Sequence, residues 1–240
     1  MSSLKNWDNQ TWISSRKYIE SFNNFVLKQI KLNRDSKILD IGCGRGKIVS
    51  NLYSKLRLKN KPQGIDIINH KDKDKRFKFK KIDALSFLLK NKNKFDLIMI
   101  KQTIHFFKIK EVKKILSYAY LNLNTKGIII ILSLNTSNNE IPTFSLMARK
   151  LQQSFKKEKL IKKNILKFKK EKKIKQFNFK VKVTKKKYIE MLKQRYISSL
   201  SNLNDKQILN GIKEIELKYK KIIIFCDKLS SVIFKRNTKY

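Results

Sequence analysis

Residues 38–48 read ILDIGCGRGKI, so that Gly42, Gly44 and Gly46 alternate just behind Asp40 in a chain with only six glycines. Glycine has no Cβ and tolerates positive φ, so such a turn lets backbone amides come close to a ligand. A helix opening straight after it would aim its N-terminal N–H groups at a negative or polar group. Two phosphate-binding signatures are excluded by spacing. A dinucleotide fingerprint needs G-x-G-x-x-G, whereas this loop is G-x-G-x-G; a P-loop needs Ser or Thr after its Lys, and Lys47 is followed by Ile48. For the glycines alone, a tight structural turn is the alternative reading.

The surrounding segments must hold that loop in place. Apolar positions Trp12, Ile19, Phe22, Val26 and Ile30 recur near helical spacing and predict an amphipathic helix over 11–31. Short apolar runs at 37–42, 63–68, 77–81, 95–101 and 127–134 read as strands, with helices expected over 47–56 and around 110–121. Nearly continuous β-branched runs separated by helices indicate parallel strands covered on both faces, an α/β fold. Beyond residue 135 the pattern is harder to follow. Helical stretches are expected in 143–173, an alternating strand in FNFKVKV at 177–183, a helix over about 205–220 capped by Asn204 or Asp205, and a closing strand in IIIFCDKLSSVIFKR. The Lys-rich stretch 156–175 reads as a mobile surface insertion. With no repeat and no flexible linker, a single domain is expected: a helical lid over 1–34, a cofactor half over 35–135 and a substrate-side, sheet-closing half over 136–240.

LDIGCGRG resembles the first motif of the class I S-adenosylmethionine-dependent methyltransferases, and the first 135 residues follow that family in order. The resemblance implies a doubly wound, mostly parallel, seven-stranded Rossmann-like sheet with adenosylmethionine as cofactor. It implies that Asp66, in GIDI, accepts from the two ribose hydroxyls, a task for which a carboxylate has the acceptor capacity. Asp83-Ala84 matches the contact to the adenine amino group, while Asp40 and the Gly42 carbonyl would lie near the methionine ammonium. Cys43, Ile67 and Lys101 complete the implied cofactor set with Gly44 and Gly46, Cys43 being read as a small space-filler rather than a reactive thiol.

After the fourth strand the chain reads IKQTIHFF, which lacks the [DN]-P-P-[YFW] of base- and glutamine-methylating enzymes, and no Pro-Cys pair provides a cytosine-C5 nucleophile. QTIHFF resembles small-molecule methyltransferases of the trans-aconitate and ubiquinone-pathway type. WDNQTWISSR and the segment 187–208 resemble the N- and C-terminal parts of the trans-aconitate-like branch. Methyl transfer needs a positioned acceptor and a dry site. Gln102 and His105 are therefore the candidate catalytic groups, with His105 as base for a phenol or amine. A carboxylate acceptor would need no base, and Trp7, Trp12, Arg149, Arg195 and Tyr196 are the candidates for holding it. Each has a plain alternative as a packed or solvated side chain.

A net charge of +40 would ordinarily point to nucleic acid. Yet Lys outnumbers Arg by 50 to 8 and Ala occurs only 3 times, the mark of a compositional bias against GC-rich codons. Specific phosphate reading would favour the bidentate Arg fork. The small-molecule acceptor that the resemblance implies, with acidic molecules among the candidates, therefore stays the expected partner ahead of nucleic acid. RNA tracked by the Lys-rich C-terminal third, whose Phe168, Phe177 and Phe179 interleave with lysine, is the alternative; a non-catalytic adenosylmethionine-binding module is another. Two cysteines make no disulfide framework, and no Cys/His cluster has metal-ligand spacing. A cytoplasmic monomer or weak dimer with no metal, no signal segment and no membrane span is expected.

Overall fold

The computed structural model describes residues 11–237. A 3₁₀ turn at Trp12–Ser14 leads into α1 (Arg16–Leu27). The chain then runs β1 (Ile38–Ile41), α2 (Lys47–Leu56), β2 (Gln63–Asp66), β3 (Lys78–Lys81), α3 (Ala84–Lys90) and β4 (Phe95–Lys101). It continues through α4 (Ile109–Leu121), β5 (Leu123–Leu134), α5 (Ser145–Phe168), β6 (Lys173–Thr184), α6 (Lys185–Lys193), α7 (Asp205–Lys218) and β7 (Ile222–Lys235). Seven strands form one sheet in the order β3-β2-β1-β4-β5-β7-β6, and pairing is parallel from β3 through β5. β7 then enters antiparallel to β5, with Ile130 opposite Ile233. This is the doubly wound, mostly parallel α/β architecture that the apolar runs predict.

Two units of dense internal contact make up the chain. One holds Ile19–Leu134, Leu160–Phe177 and the C-terminal end from Leu229; the other holds Asn135–Lys159, Asn178–Lys228 and the described residues up to Tyr18. In the first, β1, β4 and β5 are buried along most of their length, so their side chains are apolar on both faces. Leu39, Ile98, Ile129 and Phe234 pack there with Phe87 of α3, Leu116 of α4, and Ile161 and Ile165 of α5. In the second, the ring of Phe144 fills the space that Gly211 leaves on α7. That helix starts in a capping box: Asn204 accepts from the Gln207 N–H, and the Gln207 side chain returns to the Asn204 N–H.

Two expectations need correction. Residues 156–175 are not an insertion: they are the second half of α5 and the start of β6, and Ile161 and Ile165, four apart, supply a narrow stripe buried in the core. The second strand also ends earlier than the sequence suggests. Asp66 turns the chain by accepting the Ile68 N–H (2.9 Å) on its own carboxylate, an Asx turn that leaves Ile67 64% exposed. The short helices α3 and α6 were not anticipated at all.

Candidate active site

Strand order reverses between β1 and β4, the place where open α/β sheets gather ligand-binding groups at the carboxyl ends of the strands. Register decides which side chains meet there. Asp40 of β1 has Gly64 of β2 and Met99 of β4 as its cross-strand partners. Side chains repeat every two residues, so Asp66 and Lys101, each two positions further on, lie on the same face as Asp40. Two carboxylates and one ammonium thus share the carboxyl end of three adjacent strands.

Each of these groups is held. The Asp66 carboxylate accepts from the Gly44 N–H (2.9 Å) as well as from Ile68. Lys101 donates to Gln102 Oε1 (2.8 Å), and its Nζ stands 5.4 Å from the centre of the Phe22 ring. Asp40 is 4% exposed; burial pushes its carboxyl up to about 7, Lys101 opposing and Asp66 reinforcing the rise. Burial, then Asp40 and Asp66, drive the Cys43 thiol far above its ordinary range, so it stays protonated. A thiol held in its protonated form is a poor nucleophile.

The glycine loop repays closer reading. Gly42, Gly44 and Gly46 all have positive φ (74°, 51° and 69°), and the Gly42 and Cys43 amides both donate to Ile65 O (2.8 and 3.1 Å). A Cβ on Gly42 would collide with the Thr103 side chain, and one on Gly46 with the Phe77 ring. At these two positions the missing side chain makes room for protein, not for a ligand as the sequence suggests. Thr103 Oγ1 donates to Lys101 O (3.0 Å) and leans on Gly42 O (3.4 Å), tying the turn after β4 to the loop after β1. Arg45, 3% exposed at its side chain, adds a second tie: Nε meets Asp72 at 2.6 Å, and Arg45 O accepts from the Asp74 N–H (3.0 Å).

Asp83 is exposed at the N-terminus of α3, where its side chain accepts from the Ser86 N–H (2.9 Å). That bond holds its carboxyl below the usual range, and Ala84 behind it is buried. Past β4, Gln102 adopts φ 50°, a left-handed conformation uncommon for a side-chain-bearing residue. His105 follows in a 3₁₀ turn, its ring 4.1 Å from that of Phe106. Asp40, the glycine loop, Asp66, Ile67, Asp83, Ala84, Lys101, Gln102 and His105 therefore all belong to one unit.

The other unit holds four of the expected acceptor-binding residues, and Trp7 lies outside the described residues. Trp12 Nε1 donates to Asp227 Oδ2 (2.8 Å), and its ring packs edge-on against Tyr196 and Phe225. Tyr188 donates to Pro142 O (2.5 Å) and so accepts from Tyr196 (2.8 Å). Burial and the Asp227 carboxylate push Tyr18 well above the ordinary phenol range. Sequence reading missed Asp227, whose partner Trp12 lies 215 residues away. Arg195 donates through Nε and Nη2 to Leu203 O (3.1 Å each) and through Nη2 to Asp205 (2.6 Å), pinning the start of α7. Arg149 is exposed on α5; hydrogen bonds from Ser145 hold Glu214 below the usual carboxylate range, and the Arg149 field adds to them.

Sheet order, the β1 glycine loop, and acidic residues within β1 and at the end of β2 define a Rossmann-like methyltransferase architecture. Residues 32–196 match the model of a family described as "Methyltransferase domain", and the chain belongs to that family. Solved structures agree on the fold. The plantazolicin methyltransferase BpumL, in complex with a pentazolic desmethylPZN analog and SAH, is 16% identical, with a TM-score of 0.56 over 99% of this chain and 90% of that one. The plantazolicin methyltransferase BamL, with a triazolic analog and SAH, is 17% identical, with a TM-score of 0.56 over 98% and 90%. A SAM-dependent methyltransferase from Archaeoglobus fulgidus is 19% identical, with a TM-score of 0.51 over 90% and 94%. A search of curated proteins found no match.

The residues present fit adenosylmethionine. Asp66 offers a fixed carboxylate for a vicinal diol, the neighbouring Ile67 presents exposed apolar surface for a flat base, and buried Asp40 suits a cationic ammonium. Gln102 and His105 stand on the turn that Thr103 ties to the same loop.

Proposed function

We propose that the protein is an S-adenosylmethionine-dependent methyltransferase acting on a small molecule, at oxygen or nitrogen, of the branch resembling the trans-aconitate and ubiquinone-pathway enzymes. The observation that carries the reading is the convergence of Asp40, Asp66 and Lys101 on one face beside the glycine loop, at the reversal of strand order. Neighbours of the same fold were solved with SAH, the demethylated cofactor.

Bound adenosylmethionine supplies a methyl group activated by its sulfonium. The chain's own part is to orient the acceptor and keep water out. In this reading Gln102 hydrogen-bonds the acceptor, and His105 takes the proton that a phenol or amine releases. Arg195, Tyr196 and Trp12 are engaged within their own unit, whereas Arg149 is exposed.

A small acceptor is supported over RNA by the fate of the interleaved phenylalanines. Phe177 packs on Phe22 and Phe25, Phe168 on Tyr120 and Phe234, and Phe179 on Tyr18. Rings spent on other rings offer no platform for stacking bases. Both cysteines are unpaired, in keeping with a reducing cytoplasm, and among the described residues no helix is long and apolar enough to cross a membrane.

Calorimetric titration with adenosylhomocysteine at low and high salt, followed by labelled methyl transfer to a panel of acidic metabolites and to RNA, tests the proposal. Micromolar, salt-insensitive binding with transfer to a small acid is expected. Transfer only to RNA, with affinity falling steeply against salt, would overturn the choice of acceptor; no binding would overturn the cofactor assignment. His105→Ala should abolish transfer to a phenol or amine with cofactor affinity retained, and an unchanged rate would remove His105 from the mechanism.

A further inference from the structure

Asp40 raises a problem that its neighbours answer. A carboxylate 4% exposed, with a second carboxylate from β2 on the same face, is a poor place to keep a negative charge. A site that must receive a cationic ammonium needs that charge. The β4 side of the same face supplies the remedy: Lys101, two positions past the Asp40 partner Met99, with its ammonium fixed by Gln102 Oε1 and the Phe22 ring. A flexible lysine on the surface would give its neighbour little; this one is clamped from two sides.

We propose that Lys101 is a positioning residue for the cofactor: held at the end of β4, it keeps Asp40 ionised so that the carboxylate can dock the ammonium of the ligand's methionine moiety. The proposal rests on the reading of this site as one for adenosylmethionine. Lys101 needs no contact with the ligand for this role. Among the described residues, the other ionisable groups facing Asp40 are Asp66 from β2, which opposes ionisation, and the Cys43 thiol in the loop, which stays protonated and adds no charge.

The sign follows directly. Burial leaves Asp40 titrating near about 7 even with Lys101 in place, and ammonium docking requires the deprotonated form, so ligand affinity rises with pH through that value. Without Lys101 the titration moves higher, and near neutrality most molecules carry a protonated Asp40.

Calorimetry with adenosylhomocysteine from about pH 6 to about pH 8.5 separates the possibilities. Wild type is expected to bind more tightly as pH rises. Lys101→Met should bind about fivefold more weakly near pH 7 and about tenfold more weakly near pH 6, the counterpart of a shift of about one pKa unit, with the deficit narrowing towards pH 8.5. Lys101→Arg, which keeps the cation, should follow wild type. Equal affinity and an equal pH profile in wild type and Lys101→Met would overturn the role of Lys101 and leave the cofactor site standing. No binding by wild type would instead sink the reading of the site.

A second measurement needs no ligand. The carboxyl ¹³C resonance of Asp40, assigned with Asp40→Asn, should titrate about one unit higher in Lys101→Met; an unmoved midpoint would refute the proposal whatever binds. Should Lys101→Met fail to fold, the near-isosteric neutral Lys101→Gln carries the same expectations in both measurements.

Discussion

The glycine loop and the Trp12–Asp227 cluster each bury a carboxylate, and they use it in opposite ways. Asp40 is set beside a second carboxylate and a clamped ammonium at the open ends of the strands, next to exposed Ile67. Asp227 is 1% exposed among Trp12, Tyr18 and Tyr196, where it takes the indole N–H and presses on the Tyr18 phenol. Its indole donor is uncharged, and the carboxylate is closed off from solvent. A buried carboxylate met by aromatic donors belongs to a core, whereas one met by charge at a strand end belongs to a site. Burial alone does not distinguish them; the chemistry of the neighbours does.

Four substitutions would break or sharpen that contrast. The largest effect is expected from Gly46→Ala, which must hold φ 69° and drive a methyl into the Phe77 ring; a loss of about 2–5 kcal/mol is expected in urea unfolding. Pairing it with Phe77→Ala should add less than the separate costs sum to, and strict additivity would show that the two do not meet.

Asp227→Ala comes next. It strands the buried Trp12 N–H at a cost of about 2–3 kcal/mol, read by the same unfolding, while adenosylhomocysteine affinity stays as it was; a large fall in affinity would make the cluster part of the site.

Asp66→Ala should reverse that pattern. Affinity for adenosylhomocysteine should fall about tenfold or more, since charge-assisted hydrogen bonds contribute about 1.5–3 kcal/mol. An unchanged dissociation constant would place the ribose elsewhere.

The smallest effect belongs to Asn204→Ala. It removes half of the α7 capping box and should lower stability by about 1 kcal/mol with no change in binding.

How much of this was legible beforehand depended on how far apart in the chain the partners stand. α2 and β4 begin and end where periodicity and apolar runs put them, because their patterns are complete within a dozen residues. The motif around Asp40 was readable for the same reason. α3 spans only seven residues, too few to show a 3.6-residue period, and Asp83 was read as a ligand group when its side chain also caps that helix. In α5, lysines on the wet faces hid Ile161 and Ile165. Thr103, Phe77 and Asp227 carried no signal, since their importance lies in what they touch. Gly42 meets Thr103, Gly46 meets Phe77, and only the folded chain pairs them.

Strand order also has a consequence for how the molecule is made. β7, the last strand to be synthesised, lies inside the sheet between β5 and β6. Strands β1 to β5 can pair as they leave the ribosome, in keeping with the tendency of chains to fold from the N-terminus during synthesis. β6 emerges before the neighbour that separates it from β5 exists, and Trp12 is made 215 residues ahead of the carboxylate it binds. β6 can therefore join the sheet only once β7 has been made to fill the place between it and β5.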